Sequence, residues 1–108
     1  MTNNCQNKRL MVFFDLPTIS REERRAAAGF RKELIGNGFS MMQYSVYTRY
    51  CHSDSVVKTH MMRLKRYVPS NGCVRALIIT EHQFKSMEIL AGESSKQEQN
   101  APRQLSFL

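Results

Sequence analysis

The stretch from Leu10 to Pro17 reads Leu-Met-Val-Phe-Phe-Asp-Leu-Pro, five apolar residues that run directly into Asp15. An apolar run without alternation is typical of a strand covered on both faces, so we predict a central strand here. Pro17 cannot donate a hydrogen bond to a sheet and disfavours helix at Leu16, so the strand should end at Asp15. One ionisable group then lies at the end of a buried strand, where desolvation favours the neutral acid unless a cation or a donor keeps it charged.

The composition bounds the class of protein. With 108 residues, 42% of them hydrophobic and 23% charged, the chain suits one soluble globular domain with a single modest core. No apolar stretch approaches the roughly 20 residues of a membrane span, and residues 1–7 lack the apolar core of a signal peptide. Cys5, Cys51 and Cys73 share no C-x-x-C spacing, which favours reduced thiols over disulfides or a zinc site. We therefore expect a cytoplasmic protein that does not contact a membrane.

The charge points to a polyanionic partner. The formal net charge is +7, and the excess lies within residues 1–92 because residues 93–108 carry equal numbers of the two signs. A basic globular body favours nucleic acid as the partner. Charge alone separates this interpretation only weakly from a protein that merely has a high pI.

A first helix is predicted from the capping-box pattern Ser20-Arg21-Glu22-Glu23 to about Asn37, with Gly38 as its left-handed cap. At 100° per residue, its core stripe is Ala26, Ala27, Phe30 and Leu34. The opposite side carries five cations: Arg21, Arg24, Arg25, Arg31 and Lys32. Such a side is usually just a solvated one, but the few acidic neighbours make phosphate binding a fair rival.

The rest of the chain alternates between extended and helical patterns. Residues 40–50 are rich in aromatic and β-branched residues, which predicts one long bulged strand or two short strands in succession. A second helix is predicted from about Ser53 to before Pro69, with Val57, Met61, Leu64 and Val68 as its core stripe. A turn at residues 70–72 leads to a strong strand over residues 74–80, which we expect to be central; a turn and a weaker strand over residues 87–90 follow.

This order gives a β-α-β-β-α-β pattern, which predicts an α+β, ferredoxin-like sandwich with an extra C-terminal strand. The domain should span residues 9–92, after a polar N-terminal extension at residues 1–8. Residues 93–108 form a polar tail that ends in Gln-Leu-Ser-Phe-Leu, either a strand for a partner's sheet edge or a frayed end. The fold by itself implies no function.

Three features together carry a family resemblance: Val12-Phe13-Phe14-Asp15-Leu16-Pro17, the Arg-rich helix that ends in Gly38-Phe39, and Gln43-Tyr44-Ser45-Val46-Tyr47. With this combination, residues 9 to about 92 resemble CRISPR-associated protein 2, the small adaptation protein of CRISPR systems. The Asp-Leu-Pro form and the Leu64-Lys65-Arg66 helix end look most like versions from type II systems.

The resemblance implies a homodimer whose last strand is exchanged with, or laid against, the other subunit. Such a dimer lies between two dimers of the CRISPR integrase (CRISPR-associated protein 1), and the assembly captures short double-stranded DNA and inserts it as new spacers. Family members have also been assigned a magnesium-dependent endonuclease activity on RNA or DNA. Asp15 matches the aspartate thought to bind that metal, so it is both the catalytic and the metal-binding candidate.

The residues are consistent with these roles. Two Asp15 carboxylates brought together at a two-fold axis would repel each other unless Mg²⁺ held both, and this ion takes one or two carboxylates plus waters. Candidate phosphate contacts are Arg21, Arg24, Arg25 and Arg31. Ser45 and Tyr47 are candidates for lining the Asp15 site. On the residues alone, however, an aspartate that caps the turn before Pro17, or that pairs with Arg21 or Arg24, is the simpler interpretation.

Two alternative functions remain open from the sequence. A toxin-type ribonuclease of the same fold is the closer rival. A generic RNA-binding or regulatory domain is the other, although the strands at residues 10–14 and 74–80 lack the Gly-Phe-Gly-Phe type of signature. His52, His60 and His82 are expected to be ordinary surface or core residues rather than general bases.

Overall fold

The computed structural model describes residues 7–92, so the predictions for residues 1–6 and 93–108 lie outside the described residues. The elements in chain order are β1 (Lys8–Asp15), α1 (Arg21–Gly36), β2 (Ser40–Gln43), β3 (Val46–Cys51), α2 (Asp54–Tyr67), β4 (Cys73–Thr80) and α3 (Glu81–Lys85). Residues 40–51 thus form two short strands, one of the two predicted possibilities. Within residues 7–92, no helix is long and apolar enough to span a bilayer.

The four strands form one antiparallel sheet in the order β2-β3-β1-β4. With α1 and α2 in the two connections, this arrangement confirms the predicted ferredoxin-like α+β fold. β1 lies between β3 and β4, as its unbroken apolar run predicted, and it ends at Asp15. Leu10 and Val12 are completely buried.

One face of the sheet is covered by α1 and α2. Because side chains alternate along a strand, Leu10, Val12 and Phe14 lie on this face, where they pack in one core with Phe30 and Leu34 of α1 and Val57 and Leu64 of α2. The register places the alternate residues on the other side, which we call the outer face. The outer face consists of Arg9, Met11, Phe13 and Asp15 of β1, Val46, Thr48 and Tyr50 of β3, and Cys73, Arg75, Leu77 and Ile79 of β4.

α1 has the ends that its sequence predicted. The Ser20 hydroxyl accepts a hydrogen bond from the Glu23 amide at 3.0 Å, and the Glu23 carboxylate accepts one from the Ser20 amide at 2.9 Å. Gly38 has φ +90° just after the helix. Of the predicted core stripe, Ala26 is exposed, because it lies at the edge of the apolar arc beside a surface groove rather than over the sheet.

α2 begins after Ser53 and ends at Tyr67, as predicted. Val57 and Leu64 are buried, whereas Met61 and Val68 are only partly buried at the border of the core. The core also includes His60, which the apolar pattern did not single out; it is 6% exposed and its ring meets that of Phe39 edge-on.

Two expectations for the C-terminal half were wrong for the described chain. β4 was expected to be central, but it pairs with β1 alone and is an edge strand, with Leu77 50% and Ile78 44% exposed. Residues 87–90 were expected to form a weak strand, but they follow α3 and pair with no strand within residues 7–92. A strand needs a partner edge for its backbone hydrogen bonds, and a single sequence does not show which edge that is.

Candidate functional site

The backbone of Asp15 is held from both sides at the rim of the sheet. Cys73, the first residue of β4, is its register partner on one side. On the other side, the amide of Phe14 donates to the carbonyl of Ser45 at 3.1 Å, which brings the turn between β2 and β3 against the end of β1. Ser45 has φ +64°, a conformation that this tight turn requires. The structure thus places Ser45 next to the end of β1, where it was expected.

The carboxylate of Asp15 projects from this rim into solvent. It is exposed, so the desolvation expected from the buried run before it is absent in a single chain. Within residues 7–92, it makes no ion pair and no side-chain hydrogen bond; the ion pairs there are Lys8–Asp54 at 3.0 Å and Arg9–Glu81 at 2.8 Å. Neither simpler interpretation, a turn cap or a pair with Arg21 or Arg24, describes the group. The carboxylate is therefore available to a ligand.

The carboxylate of Asp15 is the kind of ligand that a hard cation takes. Within residues 7–92, no three His, Cys, Asp or Glu side chains gather as a metal cage. A Mg²⁺ ion keeps several waters and takes one or two carboxylates, so one exposed Asp15 from each of two chains fits it. The thiol of the neighbouring Cys73 is a soft ligand that such an ion does not prefer.

The four candidate phosphate-binding arginines all belong to α1. This helix and α2 form the layer that covers one face of the sheet, which we call the helical layer. Arg21, Arg24 and Arg25 are exposed, whereas Arg31 is partly buried. Arg24 is engaged locally, since its guanidinium donates to the carbonyls of Ile19 at 2.7 Å and Thr18 at 3.3 Å. The other three form no hydrogen bond or ion pair with another residue of the described chain.

The arginines and Asp15 lie on different sides of the sheet. A loop of five residues, 16–20, leads from Asp15 on the outer face to the first turn of α1 in the helical layer. Arg21 is therefore near the Asp15 end of the molecule, while Arg31 lies about 15 Å farther along the helix. A nucleic acid that contacts both groups must reach around the rim of the sheet.

Tyr47 was expected to line the Asp15 site, but it packs in the core. It is 2% exposed, and its ring lies 5.7 Å from that of Phe14. It is the register partner of Val12, so alternation along β3 puts it on the helix-covered face, opposite to Asp15. The motif that contains Tyr47 thus contributes its turn to the site and its tyrosine to the fold.

The end of α1 is a second polar region, with a structural role. The Arg49 guanidinium donates to the carbonyl of Asn37 at 2.8 Å, and Arg63 donates to the side chain of Asn37 at 3.2 Å. Two cations thereby meet the negative end of a helix that has no basic residue in its own last turn. Burial lowers the pKa of the adjacent His60, and both arginines lower it further. A neutral, buried imidazole fits core packing rather than catalysis.

Sequence reasoning missed two neighbours of Asp15. Gly72 and Cys73 follow the predicted turn at residues 70–72, but only the register between β1 and β4 brings them to Asp15. The glycine in Ser70-Asn71-Gly72 signalled a turn, and nothing in the sequence signalled what that turn would touch.

Comparisons with known proteins agree with this architecture. The family model described as CRISPR associated protein Cas2 matches residues 8–87. A protein of Acidovorax ebreus (strain TPSY) named CRISPR-associated endoribonuclease Cas2 is 46% identical over 84 residues, which cover 78% of this chain and 82% of the relative. A relative of the same name from Flavobacterium psychrophilum is 38% identical over 103 residues, which cover 95% of this chain and 90% of the relative. Another, from Parvibaculum lavamentivorans, is 42% identical over 96 residues, which cover 89% of this chain and 95% of the relative. These matches favour the resemblance over the two alternative functions.

Proposed function

The chain belongs to the CRISPR-associated protein Cas2 family, and from that premise we propose that it acts as a homodimer in CRISPR spacer acquisition. The dimer holds duplex DNA between two dimers of the CRISPR integrase, CRISPR-associated protein 1. The observation that carries this proposal is the division of the surface: a cationic helical layer on one side, and an incomplete sheet with an exposed apolar edge on the other.

The incomplete sheet supports dimerisation. Within residues 7–92, β4 pairs with β1 on one side only, which leaves the backbone donors and acceptors of its other side for a strand from another chain. Leu77 and Ile78 are half exposed on this strand, and Ile89 and Leu90 follow it at 56% and 91% exposure. A second copy that lays its C-terminal segment along β4 would cover this apolar surface.

The cationic layer supports DNA binding without sequence specificity. Guanidinium groups on a helix contact phosphate oxygens and carry no base preference, so they suit a protein that must hold any captured duplex. Two copies double the set of Arg21, Arg24, Arg25 and Arg31. The affinity for duplex DNA should then fall steeply with salt, because each neutralised phosphate releases a counterion.

We further propose a Mg²⁺-dependent endonuclease activity centred on Asp15, on RNA or DNA; the relatives' name supports RNA. When two outer faces pack about a two-fold axis near the ends of β1, their Asp15 carboxylates converge and can hold one ion between them. A bound Mg²⁺ supplies positive charge at the scissile phosphate and a water of lowered pKa. The turn at Ser45 borders this point, and Arg21 lies one short loop away on the helical side.

A charge-reversal comparison tests the DNA-holding role. Arg21→Glu with Arg25→Glu changes two exposed cations that have no partner within residues 7–92, and Arg21 lies in the first turn of α1, where an acid does not destabilise a helix. We expect duplex affinity to fall by on the order of 10-fold or more at low salt, and the salt slope to become shallower. Spacer acquisition in cells should fall with it, while Asp15→Ala keeps duplex affinity.

The matched control is Lys85→Glu on α3, set against Arg25→Glu alone. Both replace one exposed cation, but Lys85 lies outside the helical layer formed by α1 and α2. Equal losses from the two single variants would reject a specific DNA surface. Full acquisition by the double variant, with loss only in Asp15→Ala, would reverse the ranking and make catalysis the essential activity.

A further inference from the structure

We infer that Gly72 is a positioning residue for the Asp15 carboxylate. This inference rests on the proposed metal-binding role of Asp15 and adds to it the element that fixes where the carboxylate lies. The carboxylate of Asp15 forms no hydrogen bond or ion pair with any residue of the described chain. Its position therefore follows from the backbone that carries it.

Gly72 lies directly against that backbone. A Cβ atom built on Gly72 would be 2.7 Å from the carbonyl oxygen of Asp15, 3.1 Å from the Cα of Leu16 and 2.9 Å from its Cδ2. Real Cβ atoms do not approach other atoms so closely, so one of the two segments has to shift. Two of these three neighbours are backbone atoms, which cannot rotate away as a flexible side chain does.

The strand end has little room to retreat. On its far side, the Phe14 amide is hydrogen-bonded to the Ser45 carbonyl at 3.1 Å, and Leu16 packs against the core. A side chain at position 72 therefore displaces or twists the Asp15–Leu16 peptide. Because Asp15 ends the strand, this peptide sets the direction in which the carboxylate leaves the rim of the sheet.

Gly72 also has φ +88°, which disfavours any L side chain irrespective of contacts. The chain offers a control that separates the two effects. Gly92 has φ +99°, and a Cβ built there would meet no atom of residues 7–92 within 4 Å. Gly72→Ala and Gly92→Ala thus share the backbone penalty, and only Gly72→Ala has the contact with Asp15.

The test is Mn²⁺ binding to the full-length protein, followed by the electron paramagnetic resonance signal of the free ion. Mn²⁺ accepts the same carboxylate and water ligands as Mg²⁺. Asp15→Asn should abolish the site, and Gly72→Ala should raise its Kd about 10-fold, the usual cost of losing a group that orients a ligand. Gly92→Ala should stay within about twofold of the unchanged protein, since it touches no ligand-orienting group. All titrations are made well below the melting temperatures, so that a loss of stability alone does not alter the Kd.

A second variant and a metal-free measurement keep the inference testable if Gly72→Ala folds poorly. Gly72→Asn tolerates a positive φ better but still carries a Cβ, so it should weaken Mn²⁺ binding as Gly72→Ala does. In the metal-free protein, the NMR signals of Asp15 and Leu16 should move in both Gly72 variants and not in Gly92→Ala. Unchanged Mn²⁺ affinity in the Gly72 variants, with loss in Asp15→Asn, would overturn the role of Gly72 alone. Equal affinity in Asp15→Asn and the unchanged protein would overturn both proposals.

Discussion

At the scale of single residues, the burial of a polar side chain in this protein depends on the elements packed around it and not on the type of residue. His60 is polar, yet it lies within the apolar stripe of its helix and is buried there. Its Nδ1 has no hydrogen-bond partner within residues 7–92. Asp15 shows the reverse, since it follows a buried run and is exposed. The sequence predicted that Asp15 ends the strand, because proline acts locally, but not its exposure, which depends on how far the helices cover the sheet.

His60 gives a prediction for pH dependence. Burial lowers its pKa in the folded state, and Arg49 and Arg63 lower it further, so the unfolded chain binds a proton more readily. The contribution to stability is complete above 6.5, the ordinary pKa of a histidine side chain, and is lost as the pH falls from there through the lower pKa of the folded state. His60→Leu should remove this part of the pH dependence of the free energy of unfolding. At pH 8 it should cost less than about 1.5 kcal/mol, because it exchanges a buried unpaired polar atom for an apolar group of similar size.

Denaturant unfolding between pH 5 and pH 8 measures this slope. His82→Gln is the control, because it removes an exposed histidine of α3 in place of the buried one. A slope that survives in His60→Leu, or one that disappears in His82→Gln, would assign the pH dependence to another group.

At the scale of elements, the predictions that were confirmed are those whose sequence signals lie within a few residues of the element itself. The capping box at Ser20 and the glycine at Gly38 fixed both ends of α1 within a few residues of chain. By contrast, an apolar run such as residues 74–80 is compatible with a central strand and with an edge strand whose cover comes from elsewhere. The strand predicted at residues 87–90 failed for the same reason, since its partner is not part of its own sequence.

α3 is the element most dependent on tertiary contacts, because five residues are too few for a stable isolated helix. Arg9 attaches it to the sheet: its guanidinium donates to both oxygens of Glu81 at 2.8 and 3.1 Å and lies 4.2 Å above the ring of Phe84. Arg9→Ala should therefore lower the free energy of unfolding by about 2 kcal/mol, as expected for a partly buried, charge-assisted pair. It should also speed amide hydrogen exchange in α3.

The adjacent Lys8 provides the comparison. Its ion pair with Asp54 is of similar length, 3.0 Å, but the Asp54 side chain is 67% exposed. Lys8→Ala should cost less than about 1 kcal/mol, since water and salt weaken such a pair. Equal costs for the two variants, or unchanged exchange in α3 after Arg9→Ala, would show that Arg9 does not hold this helix.

At the scale of the whole molecule, the two sides of the sheet carry different groups: the helical layer carries the arginines of α1, and the outer face carries Asp15. The helical layer and its cations were legible from periodicity, because each helix stripe is set by residues three and four apart. The site at Asp15 was predictable only in part. The sequence motifs identified the aspartate and the turn at Ser45, whereas only the strand register shows that Gly72 and Cys73 lie beside Asp15. The sequence of one chain also cannot show which surface faces a second copy, since that depends on a match between two outer faces.

Cys73 offers a direct test of the proposed dimer. It is exposed and is the register partner of Asp15, whereas Cys51 is completely buried. In a Cys5→Ser background, Cys73 is therefore the thiol of residues 7–92 that a reagent can reach. If two Asp15 carboxylates share one ion, the two Cys73 sulfurs lie within roughly 20 Å, from the strand spacing and the Mg²⁺–oxygen distance. A bis-maleimide of that reach should convert the protein to a covalent dimer, at concentrations where sedimentation finds dimers. Moving the thiol to the helical layer, with Cys73→Ser and Lys58→Cys, should abolish the product. Solitary chains in sedimentation, or equal cross-linking from Lys58→Cys, would leave Asp15 without its second carboxylate and the proposed nuclease without a metal site.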